Sequence, residues 1–249
     1  MEVLEQILDQ FDPISLEEMD SVRLMNRTDT KYIMKKSEFL DLLPLLQESY
    51  SSLEIKDSRI ARYETTYYDK PNFEFYLVHQ RGKKNRYKVR KRKYVDSDIT
   101  FLEVKHKNNK GRTIKHRKTI PELSDDLIPS DKAYIKDISG LSGILESKLT
   151  NKFQRITLVN KSLPERLTFD LNLTFEVKGQ HKALEQLVIA ELKQEQLNRA
   201  SKFAQLVKSK FIRPERISKY CVGVALLLDK IKKNNIKEKL RTIDKLSNT

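Results

Sequence analysis

The chain of 249 residues is long enough for one large domain or two small ones with a buried core. Its 49 Lys and Arg residues against 35 Asp and Glu residues give a formal net charge of +14, which predicts an anionic partner: nucleic acid, a membrane surface or a phosphate-rich molecule. A hydrophobic content of 38% excludes a wholly disordered chain, and no run approaches the roughly 20 apolar residues of a transmembrane helix.

The few glycines and the single cysteine narrow the kind of site that the chain can build. The 6 glycines form neither a Gly-x-Gly-x-x-Gly nor a P-loop pattern, so side chains rather than backbone amides would have to bind phosphate. Cys221 has no second cysteine with which to form an intramolecular disulfide, and the start of the chain lacks a signal-peptide pattern. We therefore expect a cytoplasmic protein.

In chain order, helical periodicity comes first and strand alternation follows. Leu4, Ile7, Leu8 and Phe11 recur at helical spacing. Eight later segments have the alternation, or the aromatic and β-branched content, of strands: 27–34, 59–69, 86–94, 100–107, 112–120, 152–159, 165–175 and 187–193. A short helix is expected at 73–79, between the second and third of these strands.

No internal repeat or flexible linker divides the chain, so we expect one main domain. It would cover residues 27–229, after an N-terminal helical segment (1–26) and before a basic C-terminal tail (230–249). Helices are expected from Arg199 onward.

Charged side chains alternate with apolar ones along several predicted strands, so the charge is confined to one face of each strand. Five strands place the following residues on one face: Arg86, Lys88, Arg90 and Arg92; Glu103 and Lys105; Lys115 and Arg117; Arg166 and Asp170; Glu191 and Lys193. Two architectures fit this pattern: an antiparallel sheet with one solvated side, or a barrel closed around the charged faces. The barrel would suit a polyanion bound by guanidinium and ammonium groups, and a divalent metal bound by carboxylates.

Eight short segments lie in one order between residues 27 and 228: Arg27-Thr28-Asp29-Thr30-Lys31-Tyr32, Thr66-Tyr67-Tyr68-Asp69, Arg90-Lys91-Arg92-Lys93-Tyr94, Phe101-Leu102-Glu103-Val104-Lys105, Thr113-Ile114-Lys115-His116-Arg117, Arg166-Leu167-Thr168-Phe169-Asp170, Ala190-Glu191-Leu192-Lys193 and Ser218-Lys219-Tyr220. In this order they resemble the polyphosphate polymerase domain of the vacuolar transporter chaperone (VTC) type, a branch of the triphosphate tunnel metalloenzymes. The other branch, which includes thiamine triphosphatases and one adenylate cyclase class, carries Glu-x-Glu-x-Lys on its first strand. Here that position holds a single acid, Asp29, so the other branch is disfavoured.

The resemblance implies an α+β fold: an eight-stranded antiparallel β-barrel with helices flanking it on the N- and C-terminal sides. It implies that basic side chains bind the phosphates: Lys31, Arg90, Arg92, Lys105, Lys115, Arg155, Arg166, Lys193 and Lys219. Catalytic roles are expected for four of them: Arg90, Arg92, Lys105 and Lys219. Strand alternation adds Lys88 and Arg117 to the phosphate-binding set. Glu191 matches the acid that coordinates Mn²⁺ or Mg²⁺, and Glu103 is the next candidate ligand.

The function implied by the resemblance is metal-dependent polyphosphate synthesis, in which the terminal phosphoryl group of ATP or another nucleoside triphosphate passes to a growing inorganic polyphosphate chain. Two alternatives stay open: a triphosphate or polyphosphate hydrolase of the same fold, and a non-catalytic module that binds polyphosphate or nucleotide. Nucleic acid is a weaker expectation, because it rests on charge and on the basic run 81–93, while carboxylates share the strand faces. A membrane-protein partner would not be visible in the sequence.

Overall fold

The computed structural model describes residues 2–21 and 28–247. Among these residues the helices are α1 (Glu2–Leu8), α2 (Leu16–Ser21), α3 (Lys36–Leu42), α4 (Glu74–Gln80), α5 (Pro129–Ser139), α6 (Lys202–Ser209), α7 (Lys219–Leu227) and α8 (Lys237–Ser247), with 3₁₀ turns at Leu43–Leu46 and Asn234–Ile236. The strands are β1 (Pro13–Ile14), β2 (Thr28–Lys35), β3 (Tyr50–Leu53), β4 (Ala61–Asp69), β5 (Arg86–Tyr94), β6 (Ile99–Lys107), β7 (Thr113–Ile120), β8 (Glu146–Asn160), β9 (Glu165–Val177), β10 (Gln180–Leu184) and β11 (Leu187–Gln194). Arg27, the first residue of the predicted first strand, lies outside the described residues.

Each of the eight predicted strands corresponds to an observed one, namely β2, β4 to β9, or β11. The largest difference in bounds is in β8, which begins at Glu146 rather than at Lys152. The strands β1, β3 and β10 were not predicted. The last of these pairs with β9 through a two-residue hairpin, in which Lys178 and Gly179 have φ values of 48° and 80°. Such left-handed pairs are typical of tight hairpins.

The strands form one sheet that stays open, so the prediction of an eight-stranded antiparallel β-barrel was wrong in closure and in strand number. The sheet has 11 strands, and its main path runs β2-β11-β9-β8-β4-β5-β6-β7. The free edge of β2 is covered by a loop: Tyr32 pairs with Pro214, and the Glu215 amide donates to the Lys31 carbonyl over 2.7 Å. Because proline has no N–H to donate, this contact ends the sheet there instead of extending it toward β7.

The open sheet nevertheless curves strongly, and its charged face is concave. Lys31 of β2 and Lys88 of β5 lie five places apart in the strand order. Their ammonium groups reach adjacent residues of one segment: Lys31 Nζ lies 3.4 Å from the Ile217 carbonyl, and Lys88 Nζ lies 3.2 Å from Ser218 Oγ. The sheet therefore wraps around the residues that lead into α7.

Apolar packing on the convex face holds this curvature in place. Phe39 of α3 and Phe203 of α6 pack with Phe169 of β9 and Val188 of β11 in one buried cluster. A second cluster sets α5 against β5 and β6. The ammonium group of Lys91, which points away from the charged face, lies under α5 and pairs with Asp131 at 3.0 Å. Lys91 alternates with Arg90 and Arg92 and therefore lies on the other face of β5, where its side chain is only 2% exposed.

Helix α7 fills the other end of the concave face. It is apolar on nearly all sides, and Val222 and Val224 pack with Leu149 of β8 and Phe175 of β9. Ser218 caps its first turn by accepting a hydrogen bond from the Cys221 amide. The concave face is thus divided into an apolar end, occupied by α7, and a charged end. None of the described helices is long and apolar enough to cross a bilayer.

We predict that Gly223→Ala destabilises the fold by about 1–3 kcal/mol, although alanine is the better helix former. A Cβ at Gly223 would lie 2.5 Å from Cδ1 of Phe175 and 2.7 Å from Cδ2 of Leu149, so buried side chains would have to move. Urea unfolding measures the effect. Leu149→Ala makes room, so the double variant should lose less stability than the two single losses added together. Strict additivity would contradict the packing explanation.

Candidate functional site

Cations face cations across the strands of the charged face. Lys88 of β5 lies directly opposite Lys105 of β6, and Lys105 lies opposite Lys115 of β7. Like charges directly opposite each other destabilise a sheet. A polyanion between them would remove this repulsion, so the arrangement is suited to binding phosphate.

Glu103 supplies the counter-charge in the middle of these cations. Its side chain is 0% exposed and contacts Arg90, with Arg90 Nε 2.6 Å from Glu103 Oε2, and it also forms an ion pair with Lys115. Burial by itself would raise the pKa of Glu103, but Arg90, Arg92 and Lys115 outweigh it and hold the pKa below its ordinary value. The carboxylate therefore stays ionised and fixes the direction of the Arg90 guanidinium.

Asp170 of β9 and Glu191 of β11 supply counter-charge in the same way on the other side of the charged face. Arg155 binds Asp170 through two hydrogen bonds, of 2.6 and 2.9 Å, and Lys219 at the start of α7 pairs with the same carboxylate. Glu191 of β11 lies 3.5 Å from Lys31 Nζ and 3.1 Å from the ammonium group of its strand neighbour, Lys193.

Arg92 is held by uncharged groups, which leaves its charge available. Its Nε donates to Thr65 Oγ1 over 3.1 Å, and its guanidinium lies 5.6 Å from the ring centres of Tyr63 and Phe153. These two rings are stacked at 5.1 Å and also support the guanidinium of Arg155. Cation–π contacts of this kind orient a guanidinium without neutralising it.

The group of charges around Glu103 and the group around Asp170 and Glu191 form one site. Burial raises the pKa of Glu191, but Lys193, Lys31, Arg155 and Lys105 together hold it well below the ordinary value. Since Lys105 is on β6 and Glu191 on β11, charges from distant strands act on each other. We call the following residues the inner site: Lys31, Lys88, Arg90, Arg92, Glu103, Lys105, Lys115, Arg155, Asp170, Glu191, Lys193 and Lys219.

Two predicted residues stand apart from this cluster. Arg117 is exposed, and its guanidinium lies 4.9 Å over the ring of Phe101. Arg166 shares the charged face of β9, opposite Lys193, and donates to the Met19 carbonyl over 3.3 Å. Their phosphate-binding roles remain predictions.

Three inner cations have no acid within ion-pair distance among residues 2–21 and 28–247: Lys88, Arg92 and Lys105. Burial, with a contribution from Lys31, lowers the pKa of Lys88 to about 7. The pKa of Lys105 also lies well below its ordinary value, because Arg90 repels a second positive charge. These groups would gain most from an incoming anion.

The carboxylates do not form a metal cluster of the usual kind. In the described part of the chain, no three His, Cys, Asp or Glu side chains lie together as a metal site. Mg²⁺ is often held by one or two carboxylates together with substrate phosphates. Glu191, which is 17% exposed, fits that mode better than the fully buried Glu103. Both assignments remain predictions.

Asp69 organises the approach of α7 to the site, and sequence reasoning noticed it only as the end of a short motif. The buried carboxylate accepts a 2.6 Å hydrogen bond from the Tyr220 hydroxyl and also accepts from the amides of Phe75 and Tyr76 in α4. Lys219, the neighbour of Tyr220, pairs with Asp170. Asp69 thus helps to position Lys219.

The sequence matches the family model of the VTC domain over residues 26–228. No curated protein matches the chain. Among solved structures it is similar to a candidate adenylate cyclase from Vibrio parahaemolyticus, with 14% identity, a TM-score of 0.43 and coverage of 78% of this chain and 95% of that one. A candidate adenylyl cyclase from Hippeastrum, described as having a dominant triphosphatase activity, has 13% identity, a TM-score of 0.48 and coverage of 82% and 98%. A conserved hypothetical protein from Pyrococcus furiosus has 13% identity, a TM-score of 0.42 and coverage of 77% and 97%.

We predict that tripolyphosphate binding takes up protons above about pH 7, the pKa of Lys88 in the free protein. A bound anion raises this pKa, so binding is strongest where Lys88 is already charged and weakens as the pH rises past about 7. Calorimetry in two buffers of different ionisation enthalpy measures the uptake. Lys88→Met should take up fewer protons, whereas Lys182→Met, at an exposed position of β10, should match the wild type. Equal uptake by Lys88→Met and wild type would refute the assignment.

Proposed function

The chain belongs to the VTC domain family, and on that premise we propose that it is a metal-dependent phosphotransferase. It would pass the terminal phosphoryl group of ATP or another nucleoside triphosphate to a growing polyphosphate chain. The observation that carries this proposal is the concave face on which Lys88, Arg92 and Lys105 have no acidic partner among the described residues. A cytoplasmic location and the division into segments 1–26, 27–229 and 230–249 remain predictions.

A protein catalyses phosphoryl transfer mainly by positioning the reacting groups and by neutralising the charge on the phosphate oxygens. Arg90 and Arg92 are two residues apart on one face, roughly 6.5–7 Å along the strand, and can hold neighbouring phosphate groups. Glu103 fixes the first guanidinium, while Thr65 and the ring pair fix the second. Both are therefore oriented before a substrate arrives, which is the condition for effective electrostatic stabilisation.

Lys105 of β6 and Lys219 of α7 would add positive charge around the transferred phosphoryl group from opposite sides of the inner site. Burial lowers the pKa of Lys219 to about 8, even though Asp170 favours its charged form. Both lysines can therefore respond to the charge that develops on the phosphate oxygens.

Glu191 is the residue that would hold Mn²⁺ or Mg²⁺, together with phosphate oxygens of the substrate. A bound divalent ion would supply positive charge that offsets the negative charge of the phosphate groups. Lys31 and Lys193 keep the Glu191 carboxylate ionised, which a metal ligand requires.

A hydrolase acting on triphosphate or polyphosphate is the second candidate, and the open sheet favours it. Between β2 and β7 no strand pairing closes the sheet in the described residues. Lys31 and Lys115 each keep 33% of their side chains exposed. Water can therefore reach the inner site, and water is the acceptor in hydrolysis.

Incubation of the purified protein with ATP and Mn²⁺ or Mg²⁺, followed by gel separation of the phosphate products, tests the proposal. We expect metal-dependent polyphosphate chains to accumulate. Release of orthophosphate without chains would identify the hydrolase. Binding of ATP and polyphosphate without turnover would leave a non-catalytic module, and a preference for single-stranded DNA over polyphosphate of similar charge would move the function to nucleic acid.

We predict that Arg92→Gln and Glu191→Gln separate phosphate binding from metal binding. Arg92→Gln should weaken metal-free tripolyphosphate binding about 10- to 100-fold, the effect of losing one hydrogen-bonded charge. Glu191→Gln removes a carboxylate that repels phosphate, so it should keep or gain metal-free affinity while losing metal-dependent turnover. Calorimetry without metal and turnover across a metal titration measure both effects.

The matched controls are Arg199→Gln and Glu195→Gln, at exposed positions outside the site. Normal turnover of Glu191→Gln at low metal would show that Glu191 is not the ligand and would make Glu103 or Asp170 the next candidate. Thermal unfolding of each variant separates a loss of fold from a loss of contact.

A further inference from the structure

The charged face continues beyond the inner site to a further pair of cations. Arg86 of β5 lies directly opposite Lys107 of β6. This pair is two residues along each strand from Lys88 and Lys105, and so lies on the same face. Arg86 donates to the Lys83 carbonyl over 2.8 Å. Neither Arg86 nor Lys107 has an acid within ion-pair distance in the part of the chain that the structure describes.

Two more cations converge on this pair from other segments. Burial lowers the pKa of Lys107, and Arg86, Arg216 and Lys84 lower it further, so each of these three charges lies within electrostatic range of Lys107. Arg216 is on the segment that leads into α7. Its neighbour Glu215, the acid that could offset this charge, is paired with Lys239 at 3.1 Å.

We propose that Lys84, Arg86, Lys107 and Arg216 form an outer subsite that binds the distal phosphates of a polyphosphate chain longer than a triphosphate. This inference rests on the proposed function and adds chain-length selectivity to it. An extended polyanion that runs along β5 meets a cation at every second residue from Arg92 to Arg86. That path is about 20 Å long, which is longer than an extended triphosphate held at Arg90 and Arg92.

The composition of the outer subsite favours a plain phosphate chain over a nucleic acid. Binding of single strands uses aromatic side chains on which bases stack. The neighbouring aromatic residues, Tyr87 and His106, occupy alternate positions of β5 and β6, stack on each other at 4.3 Å and lie on the opposite face from Arg86 and Lys107. The subsite therefore offers charge without a stacking surface.

The test compares two ligands and two double variants. Arg86→Gln/Lys107→Gln should weaken binding of long-chain polyphosphate by about tenfold, the effect of losing two partly exposed charged contacts. Its affinity for tripolyphosphate should stay within about twofold of the wild type, because a triphosphate in the inner site does not reach this pair. The control Lys182→Gln/Arg199→Gln removes the same charge from exposed positions elsewhere and should change neither affinity.

The possible results distinguish a failure of the outer subsite from a failure of the proposed function. Unchanged tripolyphosphate binding reports an intact fold, and Arg86→Lys should retain most of the preference for long chains. Equal losses for both ligands, or no loss for either, would overturn the outer subsite while leaving the proposed function standing. If the wild type binds neither tripolyphosphate nor long-chain polyphosphate, the proposed function fails. If the double variant loses single-stranded DNA binding more than polyphosphate binding, the patch is a nucleic-acid surface and the outer subsite is wrong.

Discussion

Repulsion between cations that face each other on a concave, partly buried surface is the constraint on which the rest of this structure depends. Arg86 opposes Lys107, and Lys88 opposes Lys105 on the same two strands. Such pairs destabilise a sheet, and burial increases the cost by removing water. The apolar clusters on the convex face and around α7 must offset that cost. Stability is therefore concentrated on the convex face and at the apolar end of the concave face, away from the charged end.

The three carboxylates of the inner site reduce this repulsion and also fix the positions of the cations that they contact. Glu103, Asp170 and Glu191 each contact two cations, so each acid fixes the positions of its partners. The acids are too few to neutralise the face, and Lys88 and Lys105 stay without an acidic partner in the described residues. Preorganised charge of this kind costs no rearrangement when a ligand binds.

Features that depend on local sequence could be predicted, whereas features that depend on contacts between distant segments could not. Alternation along β5 correctly separated Arg90 from Lys91, because the side to which a side chain points is a property of its own strand. The burial of Lys91 under α5, where it pairs with Asp131, could not be predicted, because the contact joins residues about 40 positions apart in the chain. Closure failed for the same reason: Pro214, far along the chain, occupies the edge of β2. The contact between Asp69 and Tyr220 was likewise invisible to spacing.

Helix α7 joins the part of the protein that stabilises it to the part that carries charge. Its consecutive residues Lys219 and Tyr220 contact Asp170 on the charged face and Asp69 at the end of β4. One turn later, Gly223 allows the helix to lie against Leu149 and Phe175 without a clash. A shift of α7 in the apolar end would therefore move an ammonium group in the charged end. Packing quality in the core thus sets how well the cations of the inner site are aligned.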